Sequence, residues 1–122
     1  MNTLEIGRLG EQHAASHLKQ KGYRILCCNF RARRCEIDVI ARKHNTLVFV
    51  EVKTRGVKFC DLNSSPKAPQ IKRLIYAANS FLKTCTTNTN SCRFDLIRVV
   101  YNKKSVKGDR LKEAFDISSF LI

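Results

Sequence analysis

Ten residues of this chain are acidic, and three of them fall where solvation does not account for their presence. Glu11 lies on the apolar stripe of an amino-terminal helical pattern. Asp38 and Glu51 lie within two β-forming runs, CEIDVIA and LVFVEVKTR. Glu51 stands among Val48, Phe49, Val50 and Val52, so a strand there removes its carboxylate from water. Such a group must be paired, bound to a metal or neutralised, because desolvating it alone is expensive. Lys53 follows Glu51 by one strand step, about 7 Å along the same face. It can pair with Glu51 or lean over a cleft that the two share.

Two acids from neighbouring strands and a nearby ammonium are what metal-assisted phosphodiester hydrolysis requires. Mg²⁺ takes oxygen ligands in octahedral geometry and draws only one or two of them from protein carboxylates. On this reading Asp38 and Glu51 hold Mg²⁺ or Mn²⁺, with the backbone carbonyl of Val52 in reach. The ion polarises the phosphate and acidifies water. Lys53 orients the attacking water or offsets charge developing on phosphorus. Glu11, arriving from the helix, completes the shell of a second ion or holds a metal-bound water. A competing reading is structural: a buried Glu51–Lys53 ion pair, with Asp38 capping a turn. Periodicity divides the two evenly, although buried pairs add little to stability.

The elements that must position these groups follow from pattern. Leu4 to Lys21 reads as a helix, capped by Asn2 or Thr3 and ended by Gly22. Its inward stripe runs through Leu4, Gly7, Glu11, Ala14, Ala15 and Leu18. Tyr23 to Phe30 reads as a strand, followed by a basic turn with Arg31, Arg33 and Arg34. Glu36 to Arg42 and Leu47 to Thr54 form two more strands around the turn Lys43 to Thr46. In the first of these, alternation places Ile37 and Val39 on one face and Glu36, Asp38 and Ile40 on the other. In the second, Leu47, Phe49, Glu51 and Lys53 share one face and Val48, Val50 and Val52 the other. Apolar residues on both faces predict a central strand covered on both sides.

Arg55 to Pro69 is a polar loop, and Gln70 to about Lys83 is a helix with Ile71, Leu74, Ile75, Ala78 and Leu82 inward. Arg93 to Tyr101 is a further strand, and Leu111 to Ile117 an edge strand. The expectation is one α/β (α+β) domain over residues 1–122, a mixed sheet flanked by helices.

Charge identifies the class of partner. Lys and Arg number 23 against 10 Asp and Glu, a formal net charge of +13. A surplus of this size attracts polyanions, and phosphate neutralisation supplies most nonspecific nucleic-acid affinity. Arg31, Arg33, Arg34, Arg55, Lys58, Lys67, Lys72 and Arg73 flank the acidic segments and are the candidates for a phosphate track. Tyr23, Phe59 and Tyr76 are stacking candidates, with ordinary packing as the alternative for each. His13 and His17 lie about 200° and 240° around the helix from Glu11, so they belong to no common site with it. The six cysteines include no CxxC pair, which suits reduced thiols better than disulfides or zinc. No apolar run approaches the roughly 20 residues of a membrane span. Glu5, Arg8, Glu11 and Gln12 interrupt any signal-like segment, and the expected location is cytoplasmic.

Glu11, then CEIDVIA at Cys35–Ala41, then LVFVEVKTR at Leu47–Arg55 resemble the PD-(D/E)xK nuclease superfamily. The chain is more closely similar to the YraN-like group of small bacterial proteins related to archaeal Holliday-junction resolvases. The likeness also takes in GRLGEQHAASHL, GYRILCCNFR, the helix bearing Lys72, Arg73, Ala77 and Ala78, RFDLIRV, and Ala114–Phe115. It departs from the group at Cys35, where glycine is usual, and in the loop FCDLNSSPKAP, which lacks the group's glycine. The resemblance implies a restriction-endonuclease-like fold, with Glu11, Asp38, Glu51 and Lys53 as the active-site residues. It further implies DNA as substrate, branched or damaged duplexes among its forms, and a homodimer by analogy with the resolvases. Two other classes stand beside the endonuclease: a non-catalytic nucleic-acid-binding module and an RNA-associated structural protein. The inward acids favour the endonuclease, because a pure binder has no need of them.

Overall fold

A computed structural model describes residues 3–56, 68–85, 91–102 and 110–120. The elements are α1 (Thr3–Gln20), β1 (Arg24–Ala32), β2 (Cys35–Lys43), β3 (Thr46–Gly56), α2 (Ala68–Thr84), β4 (Ser91–Asn102) and β5 (Arg110–Phe120). All seven correspond to elements expected from the sequence. They form one mixed sheet in the order β1-β2-β3-β4-β5. Only the β3–β4 pair is parallel; the others are antiparallel. Parallel neighbours need a crossover, and the chain between β3 and β4 contains α2.

α1 ends where glycine permits. Gly22 adopts φ 91°; its amide donates to Lys19 O at 3.0 Å, and the Tyr23 amide donates to Leu18 O at 2.9 Å. This is the paired bonding of a Schellman cap, which satisfies the orphan carbonyls and turns the chain into β1.

The sheet is covered on both faces. Ala14 and Leu18 of α1 pack on Val39, Ala41, Val48, Val50, Ile97 and Val99. Leu74, Ala77 and Ala78 of α2 pack on Ile37, Ile40, Leu47, Phe49 and Phe94. Phe81 sets its ring edge-on to Phe30 and Phe49, at 5.4 and 6.1 Å between centroids. Every residue from Leu47 to Val50 is 0% exposed, as expected of a central strand buried from both sides. Each such side chain contributes about 1.5–3 kcal/mol through burial, so this strand is the firmest platform in the molecule for a functional group.

Two details differ from expectation. The buried line of α1 is Ile6, Gly10, Ala14 and Leu18, and Leu4 is 64% exposed. The contact line passes through Gly10, whose lack of a side chain hides it from a reading of apolar periodicity. A Cβ there would lie 1.8 Å from Thr54 Oγ1, so the helix can approach β3 this closely only at a glycine. Glu11 consequently flanks the contact line and is half-buried.

The second difference lies in β2. Ile37 joins Ile40 in the α2 layer, while Val39 joins the α1 layer, so simple alternation fails around Asp38. Opposite that break Asn29 adopts φ 55°, between the pairs Cys28↔Val39 and Phe30↔Ile37. The β2–β3 ladder runs from Val39↔Val50 to Lys43↔Thr46. The left-handed residue of β1 and the end of that ladder both fall at the Asp38 segment.

Candidate functional site

Asp38 stands where β2 and β3 stop pairing. Its Oδ2 accepts the backbone N–H of Val52 at 2.7 Å, and the side chain thereby takes up a donor that the β2 backbone leaves. Burial pushes its carboxyl up to about 7 from an ordinary 3.8; the Val52 bond opposes the rise, and Glu11, Glu51 and Glu36 each add to it. Asp38 therefore lies within electrostatic reach of the two other acids singled out in the sequence, Glu11 and Glu51, and of Glu36. What the structure engages of Val52 is its amide.

Glu51 arrives from the centre of β3. Gln70, in the first turn of α2, donates from Nε2 to Glu51 Oε1. Oε2 of the same carboxylate is buried and has no hydrogen-bond partner among the described residues. Among the described residues no ion pair joins Glu51 to Lys53, so the ion-pair reading does not account for the burial of Glu51. Lys53 is half-buried and lies one strand step from Glu51 on the same face. Beside it in register is Arg98 of β4, a guanidinium only 7% exposed.

Glu11 reaches the site from α1. With its amide nitrogen facing the acids, Asn29 donates to Glu11 Oε2 at 3.1 Å and to Glu36 Oε1 at 3.3 Å. Burial raises the proton affinity of Glu11; the Asn29 bond and Arg8 lower it, and Glu36 raises it. Glu36 thus shares an amide with Glu11.

Asn29 and Gln70 are the site residues that sequence reasoning missed. Asn29 carried a signal, because asparagine is a poor strand former that tolerates the left-handed backbone. Gln70 carried none beyond its place at the start of a helix. Another acid, Asp95, has no role in the sequence reading. It is 3% exposed and accepts Arg93 through Nε at 2.8 Å and Nη2 at 3.0 Å, with Arg93 also donating to the Tyr23 hydroxyl at 2.6 Å. Those contacts explain both the burial of Asp95 and the position of Tyr23.

The residues fit a hard divalent cation. A buried carboxylate oxygen with no partner among the described residues, within electrostatic reach of a second carboxylate whose protonation burial and then three acids favour, is a donor set that a cation would complete. Among the described residues no three His, Cys, Asp or Glu groups stand close enough to enclose an ion unaided. Mg²⁺ does not require that, since it retains water and takes few protein ligands.

Arg31, Arg33, Arg34, Lys72 and Arg73 are all exposed. The side chain of Arg55, and Lys58, Phe59 and Lys67 entirely, lie outside the described residues. His13 and His17 are half-buried on α1. No described helix is long and apolar enough to cross a membrane.

Residues 10–99, which include every acid of the site, match the family described as Uncharacterised protein family UPF0102. The chain belongs to the UPF0102 family. This is the YraN-like group to which the sequence motifs pointed. A UPF0102 protein of Chlorobium phaeobacteroides (strain DSM 266) is 40% identical over 116 residues, 94% of this chain and 89% of the relative. One from Prosthecochloris aestuarii is 44% identical over 115 residues, 93% and 87% of the two chains. One from Christiangramia forsetii is 36% identical over 112 residues, 91% and 93%. UPF0102 membership thus extends over nearly the whole fold described above.

Proposed function

We propose that this UPF0102 protein is a nucleic-acid-binding endonuclease that hydrolyses DNA phosphodiester bonds with Mg²⁺ or Mn²⁺. The observation that carries the reading is the Oε2 of Glu51, buried and unpartnered among the described residues, within electrostatic reach of Asp38. Stability gives no reason to retain such an oxygen, since an unsatisfied buried polar group costs about 1–3 kcal/mol.

Asp38 and Glu51 would hold the ion, which when bound supplies Lewis acidity toward a phosphate oxygen and toward water. The chain's own groups do the positioning. The Val52 amide holds Asp38 by one oxygen and leaves the other for a ligand. Gln70 does the same for Glu51. Lys53 brings an ammonium to the Glu51 face, where it would offset charge developing on phosphorus. Glu11, steadied by Asn29, adds a third carboxylate from the α1 side. The exposed arginines and lysines of the β1–β2 turn and α2 would bind the phosphate backbone, with the salt dependence such contacts bring.

Purified protein incubated with plasmid and branched DNA in Mg²⁺ or Mn²⁺, beside Glu51→Ala and Lys53→Ala, tests the reading. Cleavage that both substitutions abolish supports it. Cleavage indifferent to both removes the site. DNA binding without cleavage in either metal leaves the non-catalytic binding module in its place.

A further inference from the structure

Lys72, Arg73 and Tyr76 share the outer face of α2, at helical spacings of three and four residues, and all three are exposed. Tyr76 is 41% exposed; among the described residues the other large hydrophobic side chain so open to water is Leu4. Its ring has company from another element. The guanidinium carbon of Arg33 stands 5.9 Å from the ring centroid.

Arg33 belongs to the two-residue turn joining β1 to β2 and adopts φ 56°. Residues other than glycine, asparagine and aspartate enter that left-handed region at a cost. Glycine would make this turn more easily, and the exposed arginine contributes nothing to the core. The turn instead holds a long cation over an exposed aromatic ring.

The pair lies near the acids. Gln70 contacts Glu51, and Tyr76 comes six residues later on the same helix, about 9 Å along its axis. Tyr76 also stands about 120° around the helix from Gln70, so with bases about 3.4 Å apart along a strand the ring is at least about two to three nucleotides from a phosphate at Asp38 and Glu51. A base within a duplex has both faces covered by its neighbours, whereas an unpaired base has a face to offer an aromatic ring.

We infer that Tyr76 and Arg33 form a stacking platform for an unpaired base beside the acidic site, so that the preferred ligand carries a single-stranded segment adjoining duplex. Lys72 and Arg73 contact the phosphates of that segment. The inference rests on the nucleic-acid-binding part of the function proposed above, but requires no cleavage.

The test is fluorescence anisotropy in EDTA at fixed salt. The probes are a blunt duplex and the same duplex with a single-stranded tail carrying 2-aminopurine at its second or third position. Wild type should bind the tailed probe more tightly and quench the 2-aminopurine. Tyr76→Ala should weaken tailed binding by between about 5-fold and 150-fold, leave blunt binding unchanged, and lose the quenching. Tyr76→Leu, which keeps an apolar side chain on the helix, should lose both as well, and Tyr76→Phe should keep both. Lys72→Ala should weaken tailed binding and lower its salt slope by about one, while keeping the 2-aminopurine quenching and leaving blunt binding unchanged. Equal wild-type affinity for the two probes, or equal weakening of both by Tyr76→Ala and Tyr76→Leu, overturns the platform while leaving nucleic-acid binding intact. Wild-type protein that binds neither probe removes the binding reading itself, and the platform with it.

Discussion

The carboxylate of Asp38 accepts the backbone amide of Val52 at 2.7 Å, at the point where β2 leaves β3. One bond therefore ends a ladder, fixes an acid and brings the second strand's Glu51 and Lys53 alongside it. Glu51 and Lys53 flank the residue whose amide Asp38 takes, so movement of either strand moves all three groups together.

The first prediction concerns pH. The carboxyl of Asp38 is raised from an ordinary 3.8 to about 7, chiefly by burial. Below the ordinary value folded and unfolded chains both carry the proton, and the residue exacts no penalty. As pH rises from about 4 to about 7, the unfolded chain ionises first and metal-free stability falls, levelling off above that window. The displacement corresponds to at most on the order of 4 kcal/mol. Denaturant melts in EDTA across pH 4–8 should show this slope in wild type and a flatter one in Asp38→Asn. Identical slopes would contradict the assignment.

Glu51→Gln separates stability from metal binding. Removing the charge from a buried, half-satisfied carboxylate should leave metal-free stability unchanged or raise it by about 1 kcal/mol. The same change should abolish any rise in melting temperature produced by millimolar Mn²⁺. Thermal melts with and without the metal read both. A variant that kept the full Mn²⁺ stabilisation would move the ion elsewhere.

Protons and cations compete for the same oxygens. Mn²⁺ affinity, followed by calorimetry, should therefore increase as pH approaches 7 and level off above it. Affinity independent of pH between 5 and 8 would dissociate the ion from Asp38.

At Gly10 the expectation is steric. Alanine would place a Cβ 1.8 Å from Thr54 Oγ1 and 2.9 Å from Thr54 Cβ, so helix or strand must shift. Overpacking of this kind costs about 1–3 kcal/mol, and it displaces Glu11, the next residue. Gly7→Ala serves as control, because nothing lies within 4 Å of a Cβ there. It should stabilise slightly, as alanine does in a helix. Urea midpoints compare the two directly.

Asn29 holds two acids from a left-handed backbone. Asn29→Gly keeps the φ but loses the amide; Asn29→Ala loses both. Alanine should therefore be the less stable variant by about 1 kcal/mol, while both free Glu11 from its donor and raise its proton affinity further. Carboxyl chemical shifts of Glu11 followed against pH report the latter. Equal stability of the two variants would argue against backbone strain at this position.

Much of the molecule was legible in the residues because periodicity reports which face of an element is dry. The run Leu47–Val50 read as a strand covered on both sides, and Glu51, next along it, as an acid drawn out of water and in need of an explanation. Gly22 announced the end of α1, since few other residues adopt φ near 90°. These are local statements, and local physics decides them. Elsewhere periodicity misled. It drew the α1 stripe through Leu4 and Gly7, because a glycine at the true contact line contributes no hydrophobic signal. It kept Ile37 and Val39 together, because alternation assumes an unbroken strand.

That Asp38 comes within reach of Glu11 and Glu51 belongs to the tertiary structure. Its placement goes with a left-handed residue at Asn29 in another strand and with an amide at Val52, neither of which spacing along the chain reveals. The partner of Glu51 likewise comes from α2, nineteen residues away, across a crossover whose path composition does not encode. Side-chain type and rhythm decide which groups are taken out of water. Which of those groups then meet is settled by where strands stop pairing and how closely helices can approach them.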